Sequence, residues 1–146
     1  MKLVIQRVTE AAVAIEGREV ARIGRGLMVL CGVADGDTPA QAIKLAAKTA
    51  GLRIFNDANG VMNRSVTDTG GDILVVSQFT LLADARKGNR PSYVHAAGHE
   101  LATRLYELYV AELERLTGRK VPTGVFGADM AVSLVNDGPV TIILDL

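Results

Sequence analysis

Residues 2–33 read KLVIQRVTEAAVAIEGREVARIGRGLMVLCGV, and this stretch decides the fold. Short runs rich in β-branched residues alternate here with two turn signals, Glu16-Gly17 and Gly24-Arg25-Gly26. Such alternation is typical of strands that are joined by tight turns. We therefore predict three strands that form an antiparallel meander.

A first helix is predicted directly after these strands. Thr38 precedes Pro39, and Gln41 follows the threonine by three positions, which combines an N-cap, a proline in the first turn and a capping-box partner. Gly51 can supply the left-handed residue that ends the helix. The apolar face is predicted from four residues at helical spacing, Ile43, Ala46, Ala47 and Ala50.

The second half of the chain adds a strand, a longer helix and two final strands. Residues 56–72 are rich in Asn, Asp and Gly and predict a loop, which leads into a strand over residues 72–82. Ser92 can cap the longer helix and Gly118 can end it. The apolar stripe of that helix comprises Ala97, Leu101, Leu105 and Leu108, widened by Tyr106, Tyr109 and Leu113.

The chain ends in two predicted strands, residues 128–135 and 140–144, which flank a turn at 136–139. The order of elements is therefore strands, helix, strand, helix, strands. This order indicates an α+β fold with a mainly antiparallel, barrel-like β-sheet and two helices. The chain has 146 residues, of which 49% are hydrophobic, enough for one core, so we predict a single domain over residues 1–146.

Composition restricts the possible partners. Lys and Arg together number 16, as do Asp and Glu, so the net charge provides no long-range attraction toward a polyanion. Aromatic residues make up 4% of the chain and tryptophan is absent, so any RNA is expected to bind at a restricted place. Charges interrupt the N-terminal stretch, and no run of about 18 apolar residues occurs. We expect a cytosolic protein that binds no membrane.

The single cysteine, Cys31, lies in an apolar run and is predicted to be a buried thiol. The two histidines, His95 and His99, are both assigned to the longer helix, where they share a face. No third ligand completes a zinc set, so we read them as solvated helix residues and predict neither a metal nor a cofactor.

Two polar segments interrupt apolar stretches. Residues 77–81, SQFTL, place hydroxyl and amide groups at the end of a strand, although the alternation of a strand explains them equally. A threonine nucleophile needs an activating base, and the sequence shows no recognisable catalytic triad. Residues 136–141, NDGPVT, combine a turn signal with a proline that removes a backbone donor, and an ordinary turn explains them as well. The basic residues Arg86, Lys87 and Arg90 either receive phosphate or are simply solvated.

Five segments in this order and spacing resemble the D-aminoacyl-tRNA deacylase family. They are residues 6–8 (QRV), 77–81 (SQFTL), 87–93 (KGNRPSY), 123–130 (TGVFGADM) and 136–141 (NDGPVT). The resemblance spans essentially the whole chain. It implies a homodimer that hydrolyses the ester of D-aminoacyl-tRNA and releases the free D-amino acid and tRNA, and so performs chiral proofreading.

The resemblance also implies roles for nine residues. The Gly138-Pro139 peptide is expected to be cis and to enter the partner subunit's pocket, where its carbonyls face the α-amino group, while Arg7 holds the loop. A pocket walled by backbone rejects an L-side chain by collision, whereas glycine, which is achiral, can pass, so glycyl-tRNA is a further expected substrate. The remaining implied site residues are Ser77, Gln78, Phe79 and Thr80 around the ester, and Phe126 with Met130 near the terminal adenine of the tRNA acceptor end.

Two mechanisms and three competing functions stay open. Backbone N–H groups at Phe79 and Thr80 are expected to face the oxyanion. Either Thr80 attacks the ester, or water attacks with help from the 2′-hydroxyl of the substrate, and we prefer water because no general base is visible. The competing functions are a threonine-dependent small-molecule esterase, a non-enzymatic dimeric RNA-binding adaptor, and a relative of the threonyl-tRNA synthetase editing domain.

Overall fold

The computed structural model describes residues 1–146 and contains three strands in the N-terminal stretch. They are β1 (Lys2–Ile15), β2 (Arg18–Ile23) and β3 (Gly26–Gly32). The predicted three strands are confirmed, but the predicted meander is wrong. Ala11 pairs with Ile23 and Val8 pairs with Gly26, so β2 and β3 follow one another along the same edge of β1. The second turn signal interrupts this paired edge and does not reverse the chain.

Gly26 explains why the chain is interrupted at this point. A Cβ atom on Gly26 would lie 1.8 Å from the carbonyl oxygen of Asp72, so the backbone of a further strand approaches it directly. Asp72 also donates its N–H to the carbonyl oxygen of Arg25 at 3.1 Å. Only glycine allows two backbones to come this close, and its φ of +156° lies at the limit of the region that favours glycine.

The middle of the chain contains more structure than the predicted loop. It holds α1 (Pro39–Gly51), a hairpin of β4 (Phe55–Asn56) and β5 (Met62–Arg64), and the one-turn helix α2 (Val66–Thr69). The capping box of Thr38 and Gln41 is present as predicted. Gly51 does not end α1 in a left-handed conformation, because the extended residue Leu52 takes that place. The buried face of α1 comprises Ala42, Leu45, Ala46, Thr49 and Ala50, so Ile43 and Ala47 were wrongly assigned to it.

The predicted strand over residues 72–82 is shorter. β6 (Asp72–Ser77) runs parallel to β3, and the chain then forms a 3-10 turn at Phe79–Leu82. The sheet is therefore mixed, with one parallel pair among antiparallel ones. It curls into a half-barrel, which makes the fold α+β as predicted.

The longer helix, α3 (His99–Thr117), begins later than predicted and ends as predicted at the left-handed residue Gly118. Ser92 does not cap it, because the N–H and the carbonyl of Ser92 both bond to Asp84, at 2.9 and 2.8 Å. His95 consequently lies outside the helix, and the two histidines do not share a helix face. The structure has three α-helices where two were predicted.

The last element is one strand, β7 (Ala131–Asp145), and not a pair of strands around a turn. Both of its halves pair antiparallel with β1, from Ala14 opposite Ala131 to Lys2 opposite Asp145. The predicted reversal at residues 136–139 is wrong because the register with β1 shifts there by a bulge, which absorbs the irregular backbone within the strand.

The core lies on both faces of the sheet. One cluster packs α1 and α3 against Leu3, Ile5 and neighbouring strand residues. A second cluster, which includes Val8, Met28 and Leu74, is formed by strands alone. Successive residues of a strand point to opposite faces, so these clusters are separated by the sheet. None of the three helices combines the length and the hydropathy of a membrane-spanning segment.

Candidate active site

A cavity of about 540 Å³ opens where β3 and β6 end and α3 begins. Its walls come from the end of β6, from the start of α3 and from the segment that precedes β7. The lining residues whose side chains are polar, aromatic or sulfur-containing are Cys31, Ser77, Gln78, Phe79, His99, Phe126, Asp129 and Met130. This volume and the mixture of apolar walls with a few polar groups are typical of small-molecule sites.

The turn after β6 begins beside the cavity and leaves two backbone N–H groups without a partner inside the turn. Leu81 N–H bonds to the carbonyl of Gln78 at 3.2 Å and closes the first bond of the 3-10 turn. The N–H groups of Phe79 and Thr80 precede this bond, so the turn itself gives them no acceptor. Gly32 allows the arrangement, because a Cβ atom there would lie 2.8 Å from the Gln78 carbonyl oxygen.

Thr80 does not line the cavity, and its side chain is exposed. Its hydroxyl oxygen accepts a hydrogen bond from the Gln78 side-chain amide. An amide N–H cannot take up a proton, so this partner does not turn the hydroxyl into a nucleophile. The side chain of Thr80 therefore lacks the activation that covalent catalysis requires.

Aromatic rings form one side of the cavity. Phe126 stands edge-to-face against His99, with ring centroids 5.4 Å apart, and against Tyr106 at 5.6 Å. The Tyr106 hydroxyl donates to the carbonyl of Val75 at 3.0 Å, and burial raises the pKa of this phenol. Phe79 is 56% exposed and contacts Tyr93 in the same edge-on manner.

Two further features define the lower part of the cavity. Met130 lies against Gly124, where a Cβ atom would come within 2.4 Å of the Met130 sulfur. Cys31 forms the floor and is 2% exposed, as the sequence predicted for a buried thiol. Burial raises the pKa of Cys31 to about 12, so it is a neutral thiol at physiological pH.

The loop of residues 136–139 lies apart from this cavity. The Gly138-Pro139 peptide bond is cis, and neither residue lines the cavity of its own chain. Arg7 is 8% exposed and donates through Nε to the carbonyl of Asp137 at 3.0 Å and through Nη1 to the carbonyl of Ile54 at 2.7 Å. Gly138 has a φ of +128°, and a Cβ atom there would meet Arg7 Nη2 at 3.1 Å.

The structure brings together only some of the residues implied by the resemblance. Ser77, Gln78, Phe79, Phe126 and Met130 surround the cavity. By contrast, Arg7, Gly138 and Pro139 form a second group that contributes nothing to it, and Thr80 lies just outside. Sequence reasoning missed His99 as a cavity residue, because it assigned both histidines to a solvated helix face.

The basic loop is partly neutralised. Arg86 makes a double hydrogen bond from Nε and Nη2 to the carboxylate of Asp84, which lowers the pKa of that acid. Lys87 and Arg90 make no ion pair. No group of three or more His, Cys, Asp or Glu side chains is placed to hold a metal ion.

Known proteins resemble this chain over its whole length. Residues 4–145 match the family described as D-Tyr-tRNA(Tyr) deacylase. A protein of Rhodopirellula baltica named D-aminoacyl-tRNA deacylase is 60% identical over 146 residues, which cover 100% of both chains. A protein of the same name from Roseiflexus castenholzii is 58% identical over 145 residues, which cover 99% of this chain and 92% of its own.

Two solved structures have the same fold. One, titled c-Myc DNA Unwinding Element Binding Protein, has a TM-score of 0.93 and 40% identity and covers 100% of this chain and 99% of its own. The other, titled as a probable eukaryotic D-amino acid tRNA deacylase, has a TM-score of 0.85 at 18% identity, covers 99% and 98%, and supports the fold alone. Together with the family match, these relatives show that the chain belongs to the D-aminoacyl-tRNA deacylase family.

Proposed function

We propose that this protein hydrolyses the ester bond between a D-amino acid and the terminal adenosine of tRNA in the cytosol. The main support for this proposal is the cavity at the end of β6. Beside it, the N–H groups of Phe79 and Thr80 precede the first hydrogen bond of the 3-10 turn and have no acceptor within that turn. Backbone donors of this kind stabilise an oxyanion without any titrating side chain. Family membership supports the identity of the ester, and the cavity is the proposed location of the reaction.

The proposed reaction uses water as the nucleophile. Water adds to the ester carbonyl carbon, and the negative charge that develops on the carbonyl oxygen faces the two N–H groups. The C–O bond to the ribose then breaks, and the leaving oxygen takes up the proton that the water loses, relayed by the neighbouring 2′-hydroxyl of the same ribose. The products are free amino acid and tRNA. Thr80 forms no covalent intermediate, because its hydroxyl is hydrogen-bonded to the side-chain amide of Gln78 and has no base beside it.

The same proposal requires a homodimer in which each subunit completes the other's cavity. Gly138 and Pro139 are exposed and lie outside the cavity of their own chain. They belong to β7, which pairs only with β1, has no buried residue and leaves its second edge open. Exposed apolar side chains such as Ile143, at 64%, lie on this strand and suit a protein interface.

Chiral selection follows from this loop. The carbonyl oxygens of Gly138 and Pro139 can accept hydrogen bonds from the α-amino group, and rigid backbone on that side leaves no room for an L-side chain. Arg7 holds the loop through the carbonyl of Asp137. Glycyl-tRNA has no side chain to collide with the loop, so it is a second expected substrate.

The competing functions have less support. A small-molecule esterase that depends on threonine needs an activated Thr80, and this hydroxyl has no basic partner. An RNA-binding adaptor needs a wide basic face. The basic cluster of this chain is short, and its Arg86 is already hydrogen-bonded to the carboxylate of Asp84. An editing domain for L-amino acids would not need the loop at residues 136–139.

The deciding experiment measures release of D-tyrosine and of L-tyrosine from matched charged tRNAs by the purified protein. Fast loss of the D-form with the L-form spared supports the proposal. A Gly138→Ala variant serves as the matched control, because it alters the proposed chiral filter and leaves the residues of the cavity unchanged. Absence of hydrolysis of either substrate would remove the enzymatic function and favour the adaptor.

A further inference from the structure

We propose that His99 is a second wall of the subsite for the terminal base, a positioning residue that acts together with Phe126. This inference rests on the proposed function, since it names how the cavity holds the terminal nucleoside of tRNA. From the sequence alone, His99 is predicted to be a solvated helix residue. In the structure its side chain lines the same cavity as Gln78 and Phe79.

The rings of His99 and Phe126 form a corner. Their planes meet at 76° with centroids 5.4 Å apart, so a planar base that stacks on one ring meets the other ring with its edge. Perpendicular contacts of this kind are favourable for aromatic groups. Phe126 is backed by Tyr106, which is itself fixed by its hydrogen bond to the Val75 carbonyl. The Phe126 side of the corner is therefore held in place.

The polar atoms of His99 are available to a ligand. Neither ring nitrogen makes a hydrogen bond or an ion pair within the protein, and only the backbone carbonyl of His99 is used, by Thr103. A neutral imidazole has one donor and one acceptor. The edges of adenine also carry donors and acceptors, so His99 can hydrogen-bond the base as well as contact its face. The charged residues that share a cavity or surface depression with His99 are Asp129 in the cavity, and Glu100 and Arg104 on α3.

The other histidine provides an internal comparison. His95 lies in a separate depression with Lys2, Asp84 and Asp145 and does not reach the cavity. Because the chain has only these two histidines, its imidazole NMR spectrum contains two sets of resonances. Any ligand that enters the cavity is expected to move one set and leave the other in place.

The first test is titration of the full-length protein with adenosine, followed by NMR of the imidazole carbons and protons. His99 is expected to shift and saturate, His95 to stay constant, and Phe126→Ala to abolish the saturable shift. Equal movement of both histidines, or no movement of His99 while the Phe126 ring resonances shift, would overturn the proposal. This titration does not depend on catalysis, so it remains decisive even if wild-type protein fails to hydrolyse D-tyrosyl-tRNA.

The second test separates positioning from folding by steady-state kinetics on D-tyrosyl-tRNA. His99→Ala is expected to raise KM roughly fivefold to tenfold, near the lower end of what base stacking contributes, with kcat within about twofold. His99→Phe should bring KM most of the way back to the wild-type value because it keeps an aromatic wall. His95→Ala should leave KM and kcat unchanged. A fall in kcat at constant KM, or wild-type kinetics in His99→Ala, would contradict the assignment.

Discussion

The turn after β6 and the loop within β7 both interrupt a strand, but they lie in opposite surroundings. The first, at residues 78–82, follows a buried parallel strand and opens into the cavity. The second, at residues 136–139, lies in an edge strand without a buried residue and contributes nothing to the cavity of its chain. One chain therefore carries both parts of the proposed site without bringing them together. In the proposed reaction, the turn stabilises the developing charge and the loop selects the substrate.

We expect the greatest loss of activity from a change in the turn. Phe79→Pro removes one proposed oxyanion donor, and Gln78, with φ −148° and ψ 81°, has a backbone outside the α-region that proline disfavours in its predecessor. We expect kcat to fall by about a hundredfold to a thousandfold. Phe79→Ala is the matched control, because it also loses the ring but keeps the N–H. If kcat falls equally in the two variants, the ring matters and the N–H does not.

The next effect concerns the loop. Gly138→Ala places a methyl group 3.1 Å from Arg7 Nη2 at a φ that disfavours side chains. Displacing the loop by even an ångström is expected to lower kcat/KM for D-tyrosyl-tRNA on the order of a hundredfold, and the ratio of D- to L-hydrolysis should shrink. Circular dichroism and thermal unfolding should report a folded protein. Global unfolding of the variant would indicate that the loop serves the fold and not selection.

A small effect is expected at the end of the turn. Thr80→Ala removes the hydroxyl but keeps the backbone N–H, so turnover should stay within about fivefold of wild type if water is the nucleophile. Rapid-quench mass spectrometry of the wild-type protein should find no aminoacyl adduct. Detection of an ester on Thr80 would replace the water mechanism with a covalent one.

The smallest effect concerns the floor of the cavity. Burial raises the pKa of the Cys31 thiol to about 12, so the native state favours the protonated form. The resulting stability is fully present below the ordinary thiol pKa of about 8.5 and is lost as pH rises toward 12. Urea unfolding from pH 8 to pH 11 should therefore show a shallower loss of stability in Cys31→Ala than in wild type. Burial is the main cause that raises the pKa of Tyr106 and of Tyr109, and it acts in both proteins. The charge of ionised Cys31 raises both values further in wild type alone, which adds to the same difference in slope. Identical slopes would mean that the thiol is not buried.

Local signals in the sequence predicted much of the fold. The capping box at Thr38 and the left-handed end at Gly118 depend on neighbours in the chain, and both are present. The path at Gly24-Arg25-Gly26 and the continuity of β7 could not be predicted locally. Both depend on strands that are distant in sequence, because Gly26 is packed against Asp72 and β7 keeps its pairing with β1 on both sides of the bulge.

The candidate site was predictable to the extent that family resemblance named its segments. Ser77, Gln78 and Phe126 were implied in this way and surround one cavity. His99 carries no local signal of its own. Its place depends on α3 beginning at residue 99, whereas Ser92 predicted an earlier start. The segment before α3 is held instead by hydrogen bonds to distant residues, including one from Asp35 N–H to the His95 carbonyl.

Complementation between two impaired subunits tests most directly whether the site is shared. Phe79→Pro leaves the loop intact, and Gly138→Ala leaves the turn intact. When the two variants are co-expressed with different tags and isolated as heterodimers by tandem affinity purification, one of the two sites combines an intact turn with an intact loop. If the site is shared between subunits, we expect about half of the wild-type activity per dimer, as the symmetry of a two-site dimer requires. Activity no higher than the mean of the two parent variants would contradict it and would place turn and loop in the same subunit's site.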